Sequence, residues 1–219
     1  MHVLVIAPHP DDEVIGCGGT VCLHAQRGDR VVAVFLTSGE LGLKKVPRET
    51  AWLIREREAR AAARILGLAD TVFLRLPDWS VGEHIHAGAV LLSPILKRER
   101  PGLIYLPHAR EWHPDHRAAC PLVRRALSRA RPAKWPTLRS YEVWTPQETC
   151  DQVQNISPVM PRKLRALRAH RSQLDGFDYV AAVKGLNQFR GALAGRCRYA
   201  EAFGEAAAHP RRRDSQVKP

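Results

Sequence analysis

The chain has 219 residues, of which 45% are hydrophobic, and a formal net charge of +12 at pH 7. This length suits one α/β domain that can bury a full core without disulfides or a structural metal. No apolar run reaches the roughly 20 residues that a membrane-spanning helix needs. The five cysteines are odd in number and form no CxxC pair, which disfavours both a disulfide framework and a thiolate zinc site.

The basic charge and the N-terminal sequence bear on partners and location. Arginine and lysine are spread over predicted helices and the C-terminal end, without the interleaved aromatics of a groove for single-stranded nucleic acid. We therefore interpret the charge as a solvated basic surface and expect no nucleic-acid partner. The first residues lack a basic region ahead of the apolar stretch, so they predict a strand rather than a signal peptide, and we expect a cytoplasmic protein.

Apolar runs alternate with helical periods along the chain. In chain order, the pattern predicts a strand over 3–7, a helix over 14–27, strand 31–36, helix 47–66, strand 71–74, helix 83–100, strand 103–106, helix 114–130, strand 138–143 and helices over 161–174 and 179–189. Such alternation is typical of βαβ units. We expect a Rossmann-like α/β fold, with a mainly parallel sheet sandwiched by helices, over 1–205. A disordered basic tail is expected over 206–219.

Two clusters of histidine and acidic residues directly follow predicted strands. Residues 9–13, after the first strand, read HPDDE; residues 113–116, after the fourth strand and a six-residue loop, read HPDH. In open parallel α/β sheets, ligands bind outside the carboxyl ends of the strands. We therefore expect both motifs to meet in one active site at that edge of the sheet.

The residue types in these clusters suit a catalytic metal. Imidazole and carboxylate groups are standard zinc ligands, and a catalytic zinc keeps three protein ligands and a water. Two histidines and one carboxylate would complete that set, and a remaining carboxylate could act as a base. The adjacent carboxylates Asp11 and Asp12 also repel each other unless a cation lies nearby. Singly, either motif fits an ordinary helix cap; together at one edge they favour a metal site.

These motifs resemble the signature of the PIG-L/LmbE-like family of zinc-dependent N-acetylglucosaminyl de-N-acetylases. The resembling segments span nearly the whole chain: 5–13, 16–19, 36–40, 55–58, 113–116, 170–173 and 199–203. The resemblance implies one LmbE-like deacetylase domain over 1–205 that releases acetate from a small-molecule N-acetylglucosamine-type conjugate and leaves a free amine. It implies Zn²⁺ as the cofactor, with another divalent metal left open, and it leaves a homo-oligomer open.

The resemblance also assigns the metal ligands and the base. His9, Asp12 and His116 resemble the zinc ligands of the family. Asp11 resembles the general base that activates the water at the zinc. Such a base is needed because amide hydrolysis starts from an activated nucleophile.

Four further roles follow from the same resemblance. His113 resembles the imidazolium that stabilises the oxyanion and protonates the leaving amine. Asp115 resembles the carboxylate that orients a histidine and raises its pKa, and we pair it with His113. Arg55 and Asp78 fall near positions that hold sugar hydroxyls in relatives.

Other functions stay open on the sequence alone. The same site could hydrolyse another amide, an ester or an N-glycosidic bond. Alternatively, a basic polyanion-binding protein could carry a vestigial metal site, although no matched motif position is lost. Trp79 and Trp112 could belong either to the core or to a sugar-stacking surface, and His170 could approach the site. The sequence does not identify the substrate.

Overall fold

In the computed structural model, which describes residues 1–174 and 177–206, one sheet lies between layers of helices. The strands are β1 (His2–Ala7), β2 (Arg30–Phe35), β3 (Asp70–Phe73), β4 (Leu103–Pro107), β5 (Thr137–Tyr141), β6 (Gln152–Asn155) and β7 (Ala200–Glu205). The α-helices are α1 (Asp12–Gln26), α2 (Arg48–Leu66), α3 (Ile85–Glu99), α4 (Pro114–Ala130), α5 (Met160–Leu167) and α6 (Tyr179–Arg190). The predicted α/β class is confirmed.

The strand order places the motifs at a crevice. The order is β3-β2-β1-β4-β5-β7-β6, and β1 to β5 pair in parallel. The chain runs outward in opposite directions from β1 and β4, so the strand order reverses between them. Ligands of such sheets bind at this point, outside the carboxyl ends of the strands. Residues 9–13 follow β1 and residues 113–116 follow β4.

The far edge of the sheet differs from the prediction. The sequence pattern assigns no strand beyond 143, only helices over 161–174 and 179–189, but β6 and β7 add two strands there, with β7 antiparallel to both β5 and β6. β6 is four residues long and polar, so it carries little hydrophobic signal. β7 is buried but contains Glu201 and Gly204, which interrupt an apolar pattern.

Helix bounds depart from the prediction mainly near the C-terminus. The predicted helix over 161–174 ends at Leu167, and a 3₁₀ turn follows over Arg171–Gln173. A 3₁₀ turn over Val81–His84 also precedes α3. Apart from Ala206, the predicted tail over 206–219 lies outside the described residues. Among the helices of the described chain, none is long and apolar enough to cross a membrane.

Helix α1 packs closely on the sheet because glycine faces the largest buried ring. A Cβ at Gly16 would lie 2.1 Å from the ring of Tyr141. That ring is fully buried, and its hydroxyl donates to the carbonyl of Ile6, 2.9 Å away in β1. The absent side chain thus lets the first turn of α1, which carries the acidic motif, sit directly over the crevice.

Two glycine-to-alanine substitutions within helices should therefore act in opposite directions. Gly16→Ala forces overlap with Tyr141 and should lower the free energy of unfolding by about 1–3 kcal/mol. Gly185→Ala lies in α6 with open space around it and should raise the free energy of unfolding by about 0.5–1 kcal/mol through helix propensity. Urea unfolding of both variants measures this, and equal effects would contradict the close packing.

Candidate metal centre

Three ligand atoms from the two motifs converge at the carboxyl edge of the sheet. His9 Nδ1, Asp12 Oδ2 and His116 Nε2 lie 3.2 Å from one another in each of the three pairs. Zinc bonds of about 2.0–2.1 Å place tetrahedral ligand atoms roughly 3.3 Å apart. The second carboxylate oxygen of Asp12 is buried and has no hydrogen-bond partner among the described residues. The donor set and its spacing therefore fit one divalent metal.

The tight turn between β1 and α1 holds two of these potential ligand residues, His9 and Asp12, together. The backbone N–H of His9 donates to Asp12 Oδ2 at 2.8 Å, and the amide of Asp12 donates to the His9 carbonyl at 3.3 Å. His116 lies in the first turn of α4, which begins with Pro114. Proline at the first helical position has its dihedral angle fixed for the helix. The turn before α1 and the first turn of α4 therefore orient the potential ligand atoms toward one another.

Two carboxylates hold the opposite nitrogen of His9. Its Nε2 lies 3.1 Å from Asp115 Oδ2 and 3.1 Å from Asp78 Oδ1. Carboxylates in this position fix the proton on one ring nitrogen and leave the other free to bind a metal. Asp115 also accepts the backbone N–H groups of Trp79 (2.8 Å) and Val81 (3.0 Å). The carboxylate of Asp115 thus contacts His9, whereas its backbone N–H contacts His113.

Asp78 is buried and contacts His9 and the backbone of Leu41, and its contact with a sugar hydroxyl stays a prediction. Its Oδ1 faces His9, and its Oδ2 accepts the backbone N–H of Leu41 at 3.0 Å. The ligand atoms of His9, Asp78 and Asp115 form a group within 4.8 Å, as do those of His9, His113 and His116. We favour the three atoms at 3.2 Å as the metal ligands, because Asp78 and Asp115 lie on the other side of the His9 ring.

Glu111 faces His116 at ion-pair distance and was not singled out from the sequence. Its carboxylate lies 3.7 Å from His116 Nδ1, and both side chains are fully buried. Glu111 also accepts backbone N–H groups of residues 143–145, at 2.8 to 3.3 Å. An acid two residues ahead of the HPDH motif is its only sequence signal.

The buried carboxylates and histidines at the centre shift one another's pKa values, because each buried negative charge is stabilised by a positive charge beside it. Burial lowers the pKa of His9, but its hydrogen bonds to the carboxylates of Asp115 and Asp12, together with the nearby carboxylate of Asp78, outweigh burial and raise that pKa above its ordinary value. Burial opposes ionisation of Asp12, yet His116 and His9 hold the pKa of Asp12 well below its usual range. Although burial opposes protonation of His116, Asp12 raises its pKa to about 8. A divalent cation could replace these protons.

Asp11 stands beside the ligands in a strained conformation. Its backbone φ is 129°, a value that residues other than glycine rarely adopt. Its backbone N–H donates to Glu13 Oε2 at 3.0 Å. Arg55 Nη2 lies 3.2 Å from Asp11 Oδ2. Burial raises the pKa of Asp11 to about 6, against the opposing charge of Arg55. The residue is thus a buried carboxylate poised near neutral pH, as a general base requires.

Arg55 is occupied by these contacts. Besides Asp11, its guanidinium donates to the carbonyls of Gly39, at 3.0 Å, and Pro10. The side chain is 4% exposed. The structure therefore places Arg55 against Asp11, and the contact of Arg55 with a sugar hydroxyl stays a prediction.

His113 caps helix α4 and presents one nitrogen to the centre. Its Nδ1 accepts the backbone N–H of Asp115 at 3.3 Å, which leaves the proton of the neutral ring on Nε2. The ring lies 4.6 Å from that of His9 and 5.0 Å from that of His116. Burial, followed by the charges of His9 and His116, lowers the pKa of His113 to about 4. This favours a neutral ring, whereas the sequence-based hypothesis has an imidazolium.

His170 does approach the site, on the side where Asp11 lies. It is fully buried, and its Nε2 lies 3.7 Å from Glu13 Oε1. Neither ring nitrogen of His170 has a hydrogen-bond partner within the described ranges. Glu13, which we had not assigned to the site, thus bridges His170 and the backbone of Asp11.

Comparisons with known proteins identify relatives of this chain. A family model described as "PIG-L: GlcNAc-PI de-N-acetylase" matches residues 4–127. A probable N-acetyl-alpha-D-glucosaminyl L-malate deacetylase 2 of Bacillus cereus is 34% identical over 196 residues, covering 84% of this chain and 89% of the relative. The crystal structure of a conserved protein from Thermus thermophilus has a TM-score of 0.82 and 32% identity, covering 95% of each chain. The N,N'-diacetylchitobiose deacetylase of Pyrococcus horikoshii has a TM-score of 0.82 and 26% identity, covering 94% of this chain and 84% of that one.

Removing the Glu111 carboxylate should weaken metal binding without removing a ligand. We expect Glu111→Gln to lower the affinity for Zn²⁺ by about 10- to 100-fold, because the charge facing His116 Nδ1 is lost. The amide oxygen of glutamine can still accept the backbone N–H groups, so the fold should persist. Titration against a competing chelator measures the affinity.

The matched control is Glu148→Gln, which changes an exposed carboxylate paired with exposed Arg110. Its Zn²⁺ affinity should equal that of the wild type. Equal affinities for both variants would remove Glu111 from the support of His116.

Proposed function

The chain belongs to the PIG-L family of GlcNAc-PI de-N-acetylases, and on that premise we propose that it uses Zn²⁺ to hydrolyse the N-acetyl group of an N-acetylglucosamine-type conjugate. The observation that carries the proposal is the set of three ligand atoms, 3.2 Å apart, with the buried carboxylate of Asp11 beside it. The relatives' names, a probable N-acetyl-alpha-D-glucosaminyl L-malate deacetylase and an N,N'-diacetylchitobiose deacetylase, support the substrate class.

His9, Asp12 and His116 would hold the metal. Two imidazoles and one carboxylate are a typical ligand set for catalytic zinc, which leaves a position open to water or substrate. When bound, such a metal lowers the pKa of water and polarises the amide carbonyl. Asp78, Asp115 and Glu111 would orient the two histidines.

The remaining groups supply the proton transfers. In its ionised form, Asp11 takes a proton from the attacking water. Asp11 then gives this proton to the amide nitrogen as the C–N bond breaks. His113, with its proton on Nε2, donates a hydrogen bond to the oxygen on which negative charge develops. Arg55 and Glu13 keep Asp11 in place, through its carboxylate and its backbone N–H respectively.

We also propose a cytoplasmic location. All five cysteines, Cys17, Cys22, Cys120, Cys150 and Cys197, are free thiols. Free thiols suit a reducing compartment, where disulfides are rare. A fluorescent fusion at the C-terminal end, examined after cell fractionation, would test this; recovery in the extracellular fraction would contradict it.

A substrate panel tests the function itself. The metal-loaded chain is incubated with N-acetylglucosamine conjugates, other acetamides, esters and N-glycosides, and the release of acetate, free amine or sugar is scored with and without a chelator. We expect chelator-sensitive release of acetate and amine from N-acetylglucosamine conjugates. Turnover confined to esters or N-glycosides would favour a different hydrolase. Salt-sensitive binding of nucleic acid without any turnover would favour the polyanion-binding alternative.

Substitution of Asp11 should separate catalysis from metal binding. Asp11→Asn removes the base but no ligand, so kcat should fall by about 100- to 10,000-fold while the zinc content stays that of the wild type. His116→Ala should instead lose zinc. Elemental analysis beside steady-state kinetics measures both. Wild-type rates in Asp11→Asn, or full zinc content in His116→Ala, would defeat the respective assignment.

Arg55 should affect the rate rather than substrate binding. Arg55→Ala removes a charge-assisted contact to Asp11, and we expect kcat to fall by about 10- to 100-fold with KM within about twofold of the wild type. Arg60→Ala, in the same helix but paired with Glu56, is the control. A large rise in KM with unchanged kcat would instead support the sugar-binding role of Arg55 that the family resemblance implies.

A further inference from the structure

Two tryptophans stand exposed at the rim of the metal centre. Trp79 follows β3 and is 51% exposed, and Trp112 follows β4 and is 55% exposed. Tryptophan is highly buried on average, and exposed apolar surface beside a site marks a surface that binds a ligand. These two side chains are therefore candidates for substrate recognition.

The two indoles lie against each other and against the ring of His113. Their ring centroids lie 4.4 Å (Trp79) and 5.4 Å (Trp112) from that of His113. They lie 6.2 Å from each other, with their planes inclined by 57°. A ligand resting on their exposed surfaces would therefore lie beside His113, the residue that we place next to the scissile amide.

The backbones of both tryptophans are fixed, so their exposure is a property of the fold. Trp79 has a φ of 69°, which strains a bulky residue, and its N–H donates to Asp115 Oδ2 at 2.8 Å. The N–H of Trp112 donates to Thr145 Oγ1 at 3.2 Å, and its carbonyl accepts from Arg117. The same carboxylate that orients His9 thus holds Trp79 in its strained conformation.

We propose that Trp79 and Trp112 hold the pyranose ring that carries the acetamide, by stacking on its apolar face. This inference rests on the proposed function. An indole offers an apolar face together with an N–H donor, which suits a ring with C–H groups on its faces and hydroxyls at its edge. Both indoles contact His113, so they border the place where the acetamide reacts. That position suits the ring bonded directly to the amide nitrogen, rather than a more distant ring of the conjugate.

The test compares variants on three substrates with the metal-loaded full chain. The substrates are methyl N-acetylglucosaminide, N,N'-diacetylchitobiose and methyl N-hexanoylglucosaminide. Trp79→Gly removes the ring and also relieves the positive φ, so the variant should fold, which its melting temperature checks. Trp112→Ala removes the second ring, and Trp112→Phe retains an aromatic face. Phe189→Ala, which removes a 54% exposed ring in α6, is the control.

We expect Trp79→Gly and Trp112→Ala to raise KM roughly tenfold on all three substrates, with a smaller change in kcat. Trp112→Phe should restore most of the loss, and Phe189→Ala should match the wild type. Unchanged KM in both ring-deleted variants would overturn the inference. So would a defect confined to the disaccharide, or one confined to the hexanoyl substrate, which would place the second ring or the acyl chain on the indoles.

The same measurements separate this inference from the function on which it rests. A wild-type chain that releases neither acetate nor hexanoate from any of these substrates would overturn the proposed function and the inference together. A wild-type chain that is active, beside ring-deleted variants of equal KM, would overturn the inference alone.

Discussion

The carboxylate of Asp115 is the group on which the arrangement of the site depends. It lies in the first turn of α4, is fully buried, and contacts His9 Nε2 while accepting two backbone N–H groups from the segment after β3. One side chain therefore joins the segments that follow β1, β3 and β4. Because it fixes the proton on His9 Nε2, it also leaves Nδ1 available to a metal. Ligand orientation and the position of Trp79 at the rim are thus set by the same contacts.

Asp11, in contrast, is held in a state that is unfavourable for both its charge and its backbone. Burial disfavours its charge, and its φ of 129° disfavours its backbone conformation. Arg55 stabilises the carboxylate, and Glu13 takes the backbone N–H. Strain of this kind persists only where the surroundings determine it, and it concentrates at functional sites. The two neighbours thus hold a carboxylate of raised pKa beside the proposed metal ligands, whereas a freely solvated aspartate would keep its ordinary, lower pKa.

The sequence predicted those parts of the molecule that follow from local pattern. Buried strands read as continuous apolar runs, so β1 and β4 could be placed, and the carboxyl-edge rule then brought residues 9–13 and 113–116 together. The support for the ligands could not be predicted in this way. Glu111 acts through backbone N–H groups more than thirty residues away, and its partner His116 could not be inferred from spacing. Similarly, Asp115 was paired with its sequence neighbour His113, whereas the fold brings it to His9.

The strands that escaped prediction also bear on the site, although they lie at the far edge of the sheet. Glu201 of β7 accepts the backbone N–H groups of Gly19 and Thr20 in α1. Lys163 of α5 donates to Glu201 and to the carbonyl of Ile15, and both charged side chains are fully buried. A buried ion pair is stable only when its remaining hydrogen bonds are satisfied, and here α1 and Asn187 of α6 supply them. The antiparallel extension therefore fixes the middle of the helix whose first turn carries Asp12. A mainly parallel sheet would be complete without β6 and β7, but α1 would then lack the partners that hold it over the crevice.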